Sequence, residues 1–435
     1  MLPQIPFGTP VELRHLNARS GGLNHVYRLR YNFLANPVTW DDGDAFPGVL
    51  FQVHGRNVNT IDIIELGMGI TALQAHSDGL GSAGVSEYRG ASTATRFFDS
   101  QAEFAALRNG CGVYDLGFRA KISLTGGDHV RWLNGMVTNN IRDLAAGYGV
   151  YAFLLNPQGH ILGDLYAYNR GESIAVDTDS GQAEKILATF DHYIIMDDVE
   201  VTNLSEQVTA LGIAGPKSGK VLSAAGFTVP EQQPLQLQSV MWQGVDCTLV
   251  RGEDSERPSY EIWLAPERIR QLWDALSVAG AAPVGSEALE LQRIVSGIPR
   301  YGIDIRERDL PQETEQARAL NFSKGCYVGQ EIVERIRSRG AVHRKFTGFL
   351  AEGAVQIAPG TKIVAGEKEV GEITSSASLQ LPGGCKTVAL GYIRRETGVP
   401  GREVTVGTTK ATVAQLPLTE SAPQHEEHSL EQRPA

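Results

Sequence analysis

The chain has 435 residues, which predicts two to three domains at roughly 150 residues per domain. Its composition, 42% hydrophobic and 20% charged, is that of an ordinary globular protein. A net charge of -11 argues against broad nucleic-acid binding, which requires an extended basic surface.

The four cysteines, Cys111, Cys247, Cys326 and Cys385, are scattered along the sequence without a CxxC pair or a nearby histidine group. This spacing predicts neither a disulfide framework nor a self-contained metal site, and it favours a reducing compartment. No apolar run approaches the ~20 residues that span a bilayer, and residues 1–6 lack a basic region followed by an apolar core. We therefore expect a cytoplasmic protein without a membrane contact.

The two ends of the chain carry little periodic signal. Residues 1–86 contain short apolar runs interrupted by Gly, Asn and Asp, and they predict an atypical N-terminal extension for which disorder and an appended domain stay open. Residues 419–435 are polar and charged without periodicity, which predicts a disordered tail.

Helical and strand patterns are interspersed between residues 87 and 343, which predicts an α+β body. Ser100 and Glu103 stand in capping-box register at the start of the first helix. Further helices are predicted over 130–137, 180–192, 266–276, 286–295 and 330–337. Asn-Pro-Gln-Gly at 156–159 predicts the turn of a β-hairpin. From 344 to 418, short strands separated by Gly and Pro predict a small β-barrel.

Residues 324–331 concentrate unusual side chains just before a predicted helix. The segment consists of Lys324, Gly325, Cys326, Tyr327, Val328, Gly329, Gln330 and Glu331. A cysteine near a helix start and a cation is favoured as the thiolate, so Cys326 is a candidate reactive thiol. The alternative is an inert cysteine buried in a tight turn.

This string, continued by Ile-Val-Glu-Arg, resembles the motif of the YgfZ family, folate-binding relatives of the glycine-cleavage T-protein, an aminomethyltransferase. Residues 297–304 and 310–314 are also similar to that family, and the resemblance runs from about residue 88 to about residue 417. It implies a T-protein-like three-module ring, in which two α/β modules and a C-terminal β-barrel surround a central pocket for tetrahydrofolate.

The resemblance also implies a set of folate-binding residues. They are Asn139, Tyr151, Glu261 and Arg293. Glu261 matches a carboxylate that pairs with the amino-pyrimidine edge of the pterin, a role that suits an acceptor of two parallel N–H bonds. By residue type alone, each of the four is more often an ordinary structural side chain.

A basic run lies directly after the motif. It comprises Arg335, Arg337, Arg339, His343, Arg344 and Lys345. Such a run is usually a solvated helix face. The alternatives are a site for the glutamate tail of folate or for an acidic partner surface, because Arg binds carboxylates through two parallel bonds.

One position departs from the aminomethyltransferases. Gly163 stands where the resemblance places a first, catalytic Asp, and only Asp164 remains. The leading hypothesis is therefore a tetrahydrofolate-binding, YgfZ-like protein that supports iron–sulfur cluster assembly or repair through Cys326, with iron–sulfur client or assembly proteins as partners. The alternative is a folate-dependent aminomethyltransferase of the glycine-cleavage type. Whether the protein is an enzyme stays open.

Overall fold

The computed structural model describes residues 51–53, 56–58, 69–76, 80–340, 342–381 and 384–418. The chain divides into two compact units, Met1–Ile64 and Glu65–Ala435. In the first unit, β1 (Phe51–Val53) and β2 (Arg56–Val58) form an antiparallel pair. The predicted disordered tail at 419–435 and most of the predicted extension lie outside the described residues.

The second unit begins with a small sheet and a short helix. Its elements are β3 (Gly69–Ile70), α1 (Ala72–Ala75), β4 (Val85–Tyr88) and β5 (Ala91–Ala94), with strand order β3-β5-β4. Thr71 caps α1 and donates a hydrogen bond to the buried Asp115, and Leu73 lies in a hydrophobic core. The predicted boundary at residue 86 is therefore wrong, because residues from 69 onward already pack on the body.

Eleven strands of the described body form two sheets. The strands are β6 (Gly112–Asp115), β7 (Arg119–Thr125), β8 (Gly149–Leu155), β9 (Ile161–Asn169), β10 (Ile174–Asp179), β11 (Glu200–Asn203), β12 (Thr209–Ala214), β13 (Leu237–Trp242), β14 (Val245–Arg251), β15 (Ser259–Leu264) and β16 (Ala282–Val284). One sheet has the order β11-β7-β10-β9-β8 and the other β13-β14-β15-β12-β6-β16. The β8–β9 pair confirms the hairpin predicted around residues 156–159.

The described body also contains seven further helices. They are α2 (Ser100–Asn109), α3 (His129–Met136), α4 (Ser180–Tyr193), α5 (Ser218–Ala224), α6 (Ile269–Val278), α7 (Ser286–Val295) and α8 (Gln330–Arg339), with 3-10 turns at Pro266–Arg268, Pro311–Thr314 and Ala317–Ala319. The predicted capping box of α2 is wrong by one residue, since Asp99 accepts the bond from the Ala102 amide. Glu103 is instead buried and accepts bonds from the amides of Phe97 and Phe98.

The two body sheets face each other. The five-stranded sheet packs against α3 and α4, and the six-stranded sheet packs against α5 and α6. Their inner faces share a third apolar cluster, in which Tyr168 of β9 meets Trp263 of β15 edge to face at 5.4 Å. The space beside that contact holds the polar side chains described below.

The predicted β-barrel is confirmed. It closes in the order β17-β20-β19-β18-β21-β22, from β17 (Arg344–Glu352), β18 (Lys362–Ala365), β19 (Lys368–Leu381), β20 (Gly384–Arg394), β21 (Glu403–Val406) and β22 (Thr409–Ala414). The four-residue β18 was not predicted. The outside of the barrel packs on α2 and α7 through Phe346, Leu390 and Tyr392. None of the described helices is long and apolar enough to cross a membrane.

Candidate functional site

Charged side chains meet between the two body sheets in a group that we call the central cluster. Its members are Arg119 and Lys121 of β7, Asp177 and Asp179 of β10, Asp164 of β9, Tyr151 of β8 and Glu261 of β15. β7 and β10 pair antiparallel, which places Lys121 opposite Asp177 and Arg119 opposite Asp179. Opposite charges at directly paired positions attract, so the strand register itself assembles the cluster.

Asp177 is the most enclosed carboxylate of the cluster. Its side chain is fully buried, and its Oδ1 accepts hydrogen bonds from Arg119 Nε and Lys121 Nζ, both at 3.0 Å. Its Oδ2 has no hydrogen-bond donor among the described residues. A buried carboxylate oxygen without a donor is costly, so this atom offers an acceptor to a water molecule or a ligand.

Asp179 joins the cluster to the turn between β4 and β5. It accepts hydrogen bonds from Arg119 Nη1 at 2.6 Å and from Arg89 Nη1 at 3.0 Å. Although burial acts in the opposite direction, the cations of Arg89 and Arg119 hold the pKa of Asp179 below its ordinary value. The two arginines therefore favour the ionised form of Asp179.

Asp164 has the opposite electrostatic behaviour. Its carboxylate accepts hydrogen bonds from the Tyr151 hydroxyl and from Gln182 Nε2, both at 2.7 Å. Burial, followed by the negative charge of Asp179, raises the pKa of Asp164. A half-buried carboxyl with a raised pKa beside a tyrosine hydroxyl is suited to take up and release a proton.

The neighbouring Gly163 faces away from the cluster. A Cβ added there would lie 3.1 Å from Gln182 Oε1 and 3.5 Å from Ile186, on the side of α4. Gln182 uses that space to accept a bond from the Asp164 amide while it donates to the carboxylate. An aspartate at position 163 would thus point toward the packed helix. Asp164, and not position 163, directs its side chain into the central cluster, and the effect of Gly163 on activity stays a prediction.

Glu261 enters the cluster from the opposite sheet. Its Oε2 accepts a hydrogen bond from the Trp263 indole at 2.8 Å, and the Lys121 ammonium lies 4.6 Å from the Trp263 ring centroid. Burial, followed by the charge of Asp177, raises the pKa of Glu261. No donor to Oε1 is found in the described part of the chain, so Glu261 can accept further N–H bonds.

Asn139 and Tyr151, both predicted to line a folate pocket, lie next to each other. Asn139 Nδ2 donates to the carbonyl oxygens of Tyr151 and Arg318, each at 2.8 Å. The Arg318 guanidinium lies 4.2 Å from the Tyr151 ring centroid and pairs with Glu253. Asn139 therefore joins the backbone at Tyr151 to the backbone at Arg318 on one side of the cluster. Its direct contact with folate, like that of Tyr151, stays a prediction.

Arg293 lies elsewhere, at the contact between α7 and the barrel. Its guanidinium donates to Glu290, to Asp304 at 2.5 Å, to the Ile298 carbonyl and to the Ser375 hydroxyl of β19. These partners occupy all of its N–H groups. Arg293 therefore connects the body to the barrel. Its predicted contact with folate is untested.

The segment 324–331, which we call the motif loop, is fastened to the same wall. Lys324 Nζ donates to the carbonyl oxygens of Asn134, Val137 and Asn139 at 2.5, 2.6 and 2.7 Å. Burial, followed by the charge of Arg142, lowers the pKa of Lys324 to about 7, whereas the three carbonyl acceptors favour its protonated form. Lys324 thus binds the end of α3 to the loop.

Glycines allow the motif loop to lie close to the body. Gly329 has a φ of 82°, and a Cβ there would lie 2.6 Å from the Asn156 carbonyl oxygen. A Cβ at Gly325 would lie 3.2 Å from Arg142 Nη2. Gln330 Oε1 accepts a bond from the Tyr327 amide, and the exposed Glu331 follows in the first turn of α8.

Cys326 projects from this loop into solvent. It is exposed, whereas burial raises the pKa of Cys111 to about 12 and the pKa of Cys247 to about 11. Lys324 directs its hydrogen bonds to carbonyl oxygens, and α8 begins four residues beyond Cys326, so the predicted reactivity of this thiol stays a prediction. Exposure is the property that separates Cys326 from the two buried thiols.

Sequence reasoning missed Arg119, Lys121, Asp177 and Asp179. The sequence did contain a signal. Arg119 and Lys121 are separated by one residue, as are Asp177 and Asp179, and residues two positions apart in a strand share one face of a sheet. The charges are therefore four neighbours on the inner face of the five-stranded sheet. Gln182 gave no signal, since its position beside Gly163 depends on how α4 packs.

Known proteins resemble this chain in sequence and fold. The family model described as the GCVT N-terminal domain matches residues 80–324. An aminomethyltransferase of Herpetosiphon aurantiacus is 28% identical over 362 residues, covering 80% of this chain and 97% of the relative. A putative chloroplastic transferase of Arabidopsis thaliana is 27% identical over 318 residues, or 71% of this chain and 72% of the relative.

Among solved structures, the glycine cleavage system aminomethyltransferase T from Bartonella henselae matches with a TM-score of 0.73 and 21% sequence identity. The match covers 81% of this chain and 98% of that chain. The predicted α+β fold with a C-terminal barrel is therefore confirmed as a T-protein-like fold.

Proposed function

This chain belongs to the family of the GCVT N-terminal domain, and on that premise we propose that its central cluster binds tetrahydrofolate. The observation that carries the proposal is the pairing of two half-buried carboxyls, Asp164 and Glu261, that enter one charged group from opposite sheets. Arg119 links them, because it binds both Asp177 and Asp179, whose charges act on Glu261 and Asp164 respectively.

The hydrogen-bond acceptors of the cluster fit a reduced pterin. Glu261 has a free acceptor oxygen for the N–H donors of the amino-pyrimidine edge, and the orphaned Asp177 Oδ2 adds a second acceptor. The half-buried ring of Tyr166, whose centroid lies 5.0 Å from that of Tyr151, adds an aromatic group beside them. When bound, tetrahydrofolate supplies the nitrogen atoms that carry a one-carbon group.

Aminomethyl transfer is the first candidate activity. The relatives named aminomethyltransferases support it, and so does the geometry of Asp164. Tyr151 and Gln182 hold the carboxyl of Asp164 in one orientation, and its raised pKa suits a residue that accepts a proton and returns it. In this candidate, Glu261 orients the substrate and Asp164 performs proton transfer.

Support of iron–sulfur enzymes through Cys326 is the second candidate activity. The specific observation in its favour is an exposed thiol on a loop that Lys324 fastens next to Asn139, on the wall of the proposed folate site. A single thiolate supplies at most one cluster ligand, so contact with a cluster would be transient or shared with a partner protein. In this candidate, the folate site and the Cys326 thiol lie on the same side of the protein.

Calorimetric titration with tetrahydrofolate tests the binding proposal. Glu261→Gln should weaken binding about 10- to 150-fold, because a hydrogen bond to a charged group contributes about 1.5–3 kcal/mol. Glu267→Gln, which changes an exposed carboxylate in the 3-10 turn Pro266–Arg268 after β15, should bind like the wild type. Equal affinity of the wild type and Glu261→Gln would contradict the assigned site.

Two further variants separate the candidate activities. If the protein transfers aminomethyl groups, Asp164→Asn should slow glycine cleavage with lipoylated carrier protein by about 10²- to 10⁴-fold, and Cys326→Ser should not. If it supports iron–sulfur enzymes, Cys326→Ser should fail to restore their activity in cells lacking their own family member. Cys385→Ser is the matched control in that assay. Full restoration by Cys326→Ser would exclude the second candidate.

A further inference from the structure

A pocket of about 380 Å³ lies at the end of the β-barrel where β17 and β19 begin and β20 ends, and we call it the barrel pocket. Strand β18 also contributes to it, and the 3-10 turn Pro311–Thr314 supplies Glu313 at its edge. The volume is within the range of sites for small ligands. None of the side chains of the central cluster lines this pocket, so it is separate from the proposed folate site.

Three hydrogen-bond donors lie side by side in the barrel pocket because of the strand register. In the antiparallel β17–β20 pair, Arg344 is directly opposite Arg394. Tyr392 stands two positions before Arg394 and therefore shares its face of β20. The Arg344 guanidinium lies 4.8 Å from the Tyr392 ring centroid. Like charges at directly opposed positions destabilise a strand pair, so an anion between the two arginines would be favourable.

The hydroxyl of Tyr392 is an unused donor. The side chain is 3% exposed, and its hydroxyl has no hydrogen-bond partner among the described residues. Burial, followed by the charge of Asp309, raises the pKa of Tyr392, so the hydroxyl keeps its proton. A buried hydroxyl without a partner costs about 1–3 kcal/mol, which an acceptor atom of a ligand would recover.

The carboxylates that line the pocket already have cationic partners. Glu313 binds Arg344 at 2.9 Å, and Glu369 binds Lys362 at 2.9 Å. Glu372 also faces Lys362, at 3.7 Å. Each carboxylate of the pocket is therefore engaged by a cation.

Two basic side chains of the pocket are not engaged in this way. Arg394 and His343 are exposed, and within the described ranges their side chains make neither an ion pair nor a hydrogen bond. Arg344 binds Asp309 and Glu313 through Nε and Nη2, which leaves the N–H groups of its Nη1 free. The pocket thus has donors and positive charge in excess of the acceptors that the protein supplies.

The fold divides the basic run that follows the motif loop. His343 and Arg344 line the barrel pocket, whereas Arg335, Arg337 and Arg339 are exposed on α8. The β17–β20 register then adds a cation from a distant part of the chain to the first two. The run alone therefore did not indicate this pocket.

We propose that the barrel pocket binds the phosphate group of a small phosphorylated molecule, with Arg344, Arg394 and Tyr392 donating to its oxygens. A phosphate monoester carries nearly two negative charges and three strong acceptor oxygens, which suits three donors that approach from different side chains. Glu369 and Glu372 line the same pocket and supply acceptors for hydroxyl groups of the remaining ligand. The site is separate from the central cluster, so it does not rest on the proposed function.

Ligand-observed NMR with the full-length protein tests the proposal. The probes are glycerol 3-phosphate and glycerate, which carries a carboxylate in place of the phosphate, and inorganic phosphate is the competitor. The wild type should bind glycerol 3-phosphate more tightly than glycerate or inorganic phosphate. Arg394→Met should weaken this binding about 3- to 10-fold, because it removes a charged donor that is exposed to solvent. Arg402→Met, which removes an exposed arginine of the barrel outside the pocket, should bind like the wild type.

Tyr392→Phe removes the hydroxyl and keeps the ring. Because the hydroxyl has no partner among the described residues, the ligand-free variant should melt at the temperature of the wild type or above it. Its affinity for glycerol 3-phosphate should nevertheless fall about 2- to 10-fold, the contribution of one hydrogen bond. A hydroxyl with a purely structural role would give the reverse result, a lower melting temperature with unchanged affinity.

Four results would overturn the proposal. The first is that the wild type does not bind glycerol 3-phosphate, or that Arg394→Met binds it equally well. The second is tighter binding of glycerate, which would assign these donors to a carboxylate. The third is equal affinity for inorganic phosphate and glycerol 3-phosphate, which would assign the pocket to the free anion. The fourth is displacement of glycerol 3-phosphate by tetrahydrofolate, which would place the phosphate in the central cluster.

Discussion

The central cluster and the motif loop are both built around lysines, but they hold their functional groups in different ways. In the cluster, Lys121 pairs with the buried Asp177 across two neighbouring strands. In the loop, Lys324 binds three carbonyl oxygens, and the thiol of Cys326 stands in solvent. The charged groups of the cluster are thus enclosed between two sheets, whereas the thiol of the loop is exposed.

The largest effect is expected from removing the buried carboxylate of Asp177. Asp177→Ala should lower the free energy of unfolding by about 3–5 kcal/mol, because Arg119 and Lys121 would lose a buried counter-charge. Glu334→Ala, which removes the exposed partner of Arg337, should change it by less than about 0.5 kcal/mol. Urea denaturation measures both. Similar values for the two variants would show that the cluster is solvated.

The second prediction concerns the thiols. In the native protein at pH 7.5, Cys326 should react with iodoacetamide at least about 100-fold faster than Cys111 and Cys247, because the latter are buried and have raised pKa values. Mass spectrometry of the labelled peptides gives the rates. In urea the three rates should converge. Equal rates in the native protein would place Cys326 in a protected position.

The third prediction follows from the raised pKa of Glu261, whose carboxyl ordinarily titrates at about 4.3. A carboxyl with a raised folded pKa contributes stability that is present below the unfolded pKa and is lost as pH rises through the folded pKa. Relative to Glu261→Gln, the wild type should therefore lose stability as pH rises above about 4.3. Thermal melts at a series of pH values measure this difference.

Tetrahydrofolate affinity should change in the opposite direction over the same range, because the ligand donates N–H bonds to the ionised carboxylate. It should rise with pH in the wild type, and Glu261→Gln should lack this increase. A wild-type affinity that falls as pH rises would contradict an ionised Glu261 in the complex.

The smallest expected effect comes from loosening the motif loop. Lys324→Met should reduce the stability of the loop by roughly 1.5–3 kcal/mol, the contribution of a hydrogen bond to a charged group. Most of this loss should be seen as more frequent local opening of residues 323–329. Hydrogen exchange measures the opening, and Lys410→Met is the control. Protection of the loop equal to that of the wild type would show that Gly329 and Val328 hold it without the lysine.

The sequence alone predicted the elements whose signals are local. The 156–159 turn, helix α7 and the barrel strands other than β18 followed from residue spacing and turn chemistry, because each depends on neighbours within a few positions. The resemblance carried by residues 324–331 indicated the T-protein-like fold. The exposure of Cys326 did not follow, since the same turn could have buried it.

Tertiary structure decided the rest, because strand pairing and helix packing join residues that are distant in sequence. The register of β7 and β10 creates the Lys121–Asp177 pair, which lies 56 positions apart in the chain. Packing of α4 turns Gly163 toward Gln182 and leaves Asp164 facing the cluster. Packing also decides which groups a side chain can reach, and every N–H group of Arg293 is bound to other groups of the protein.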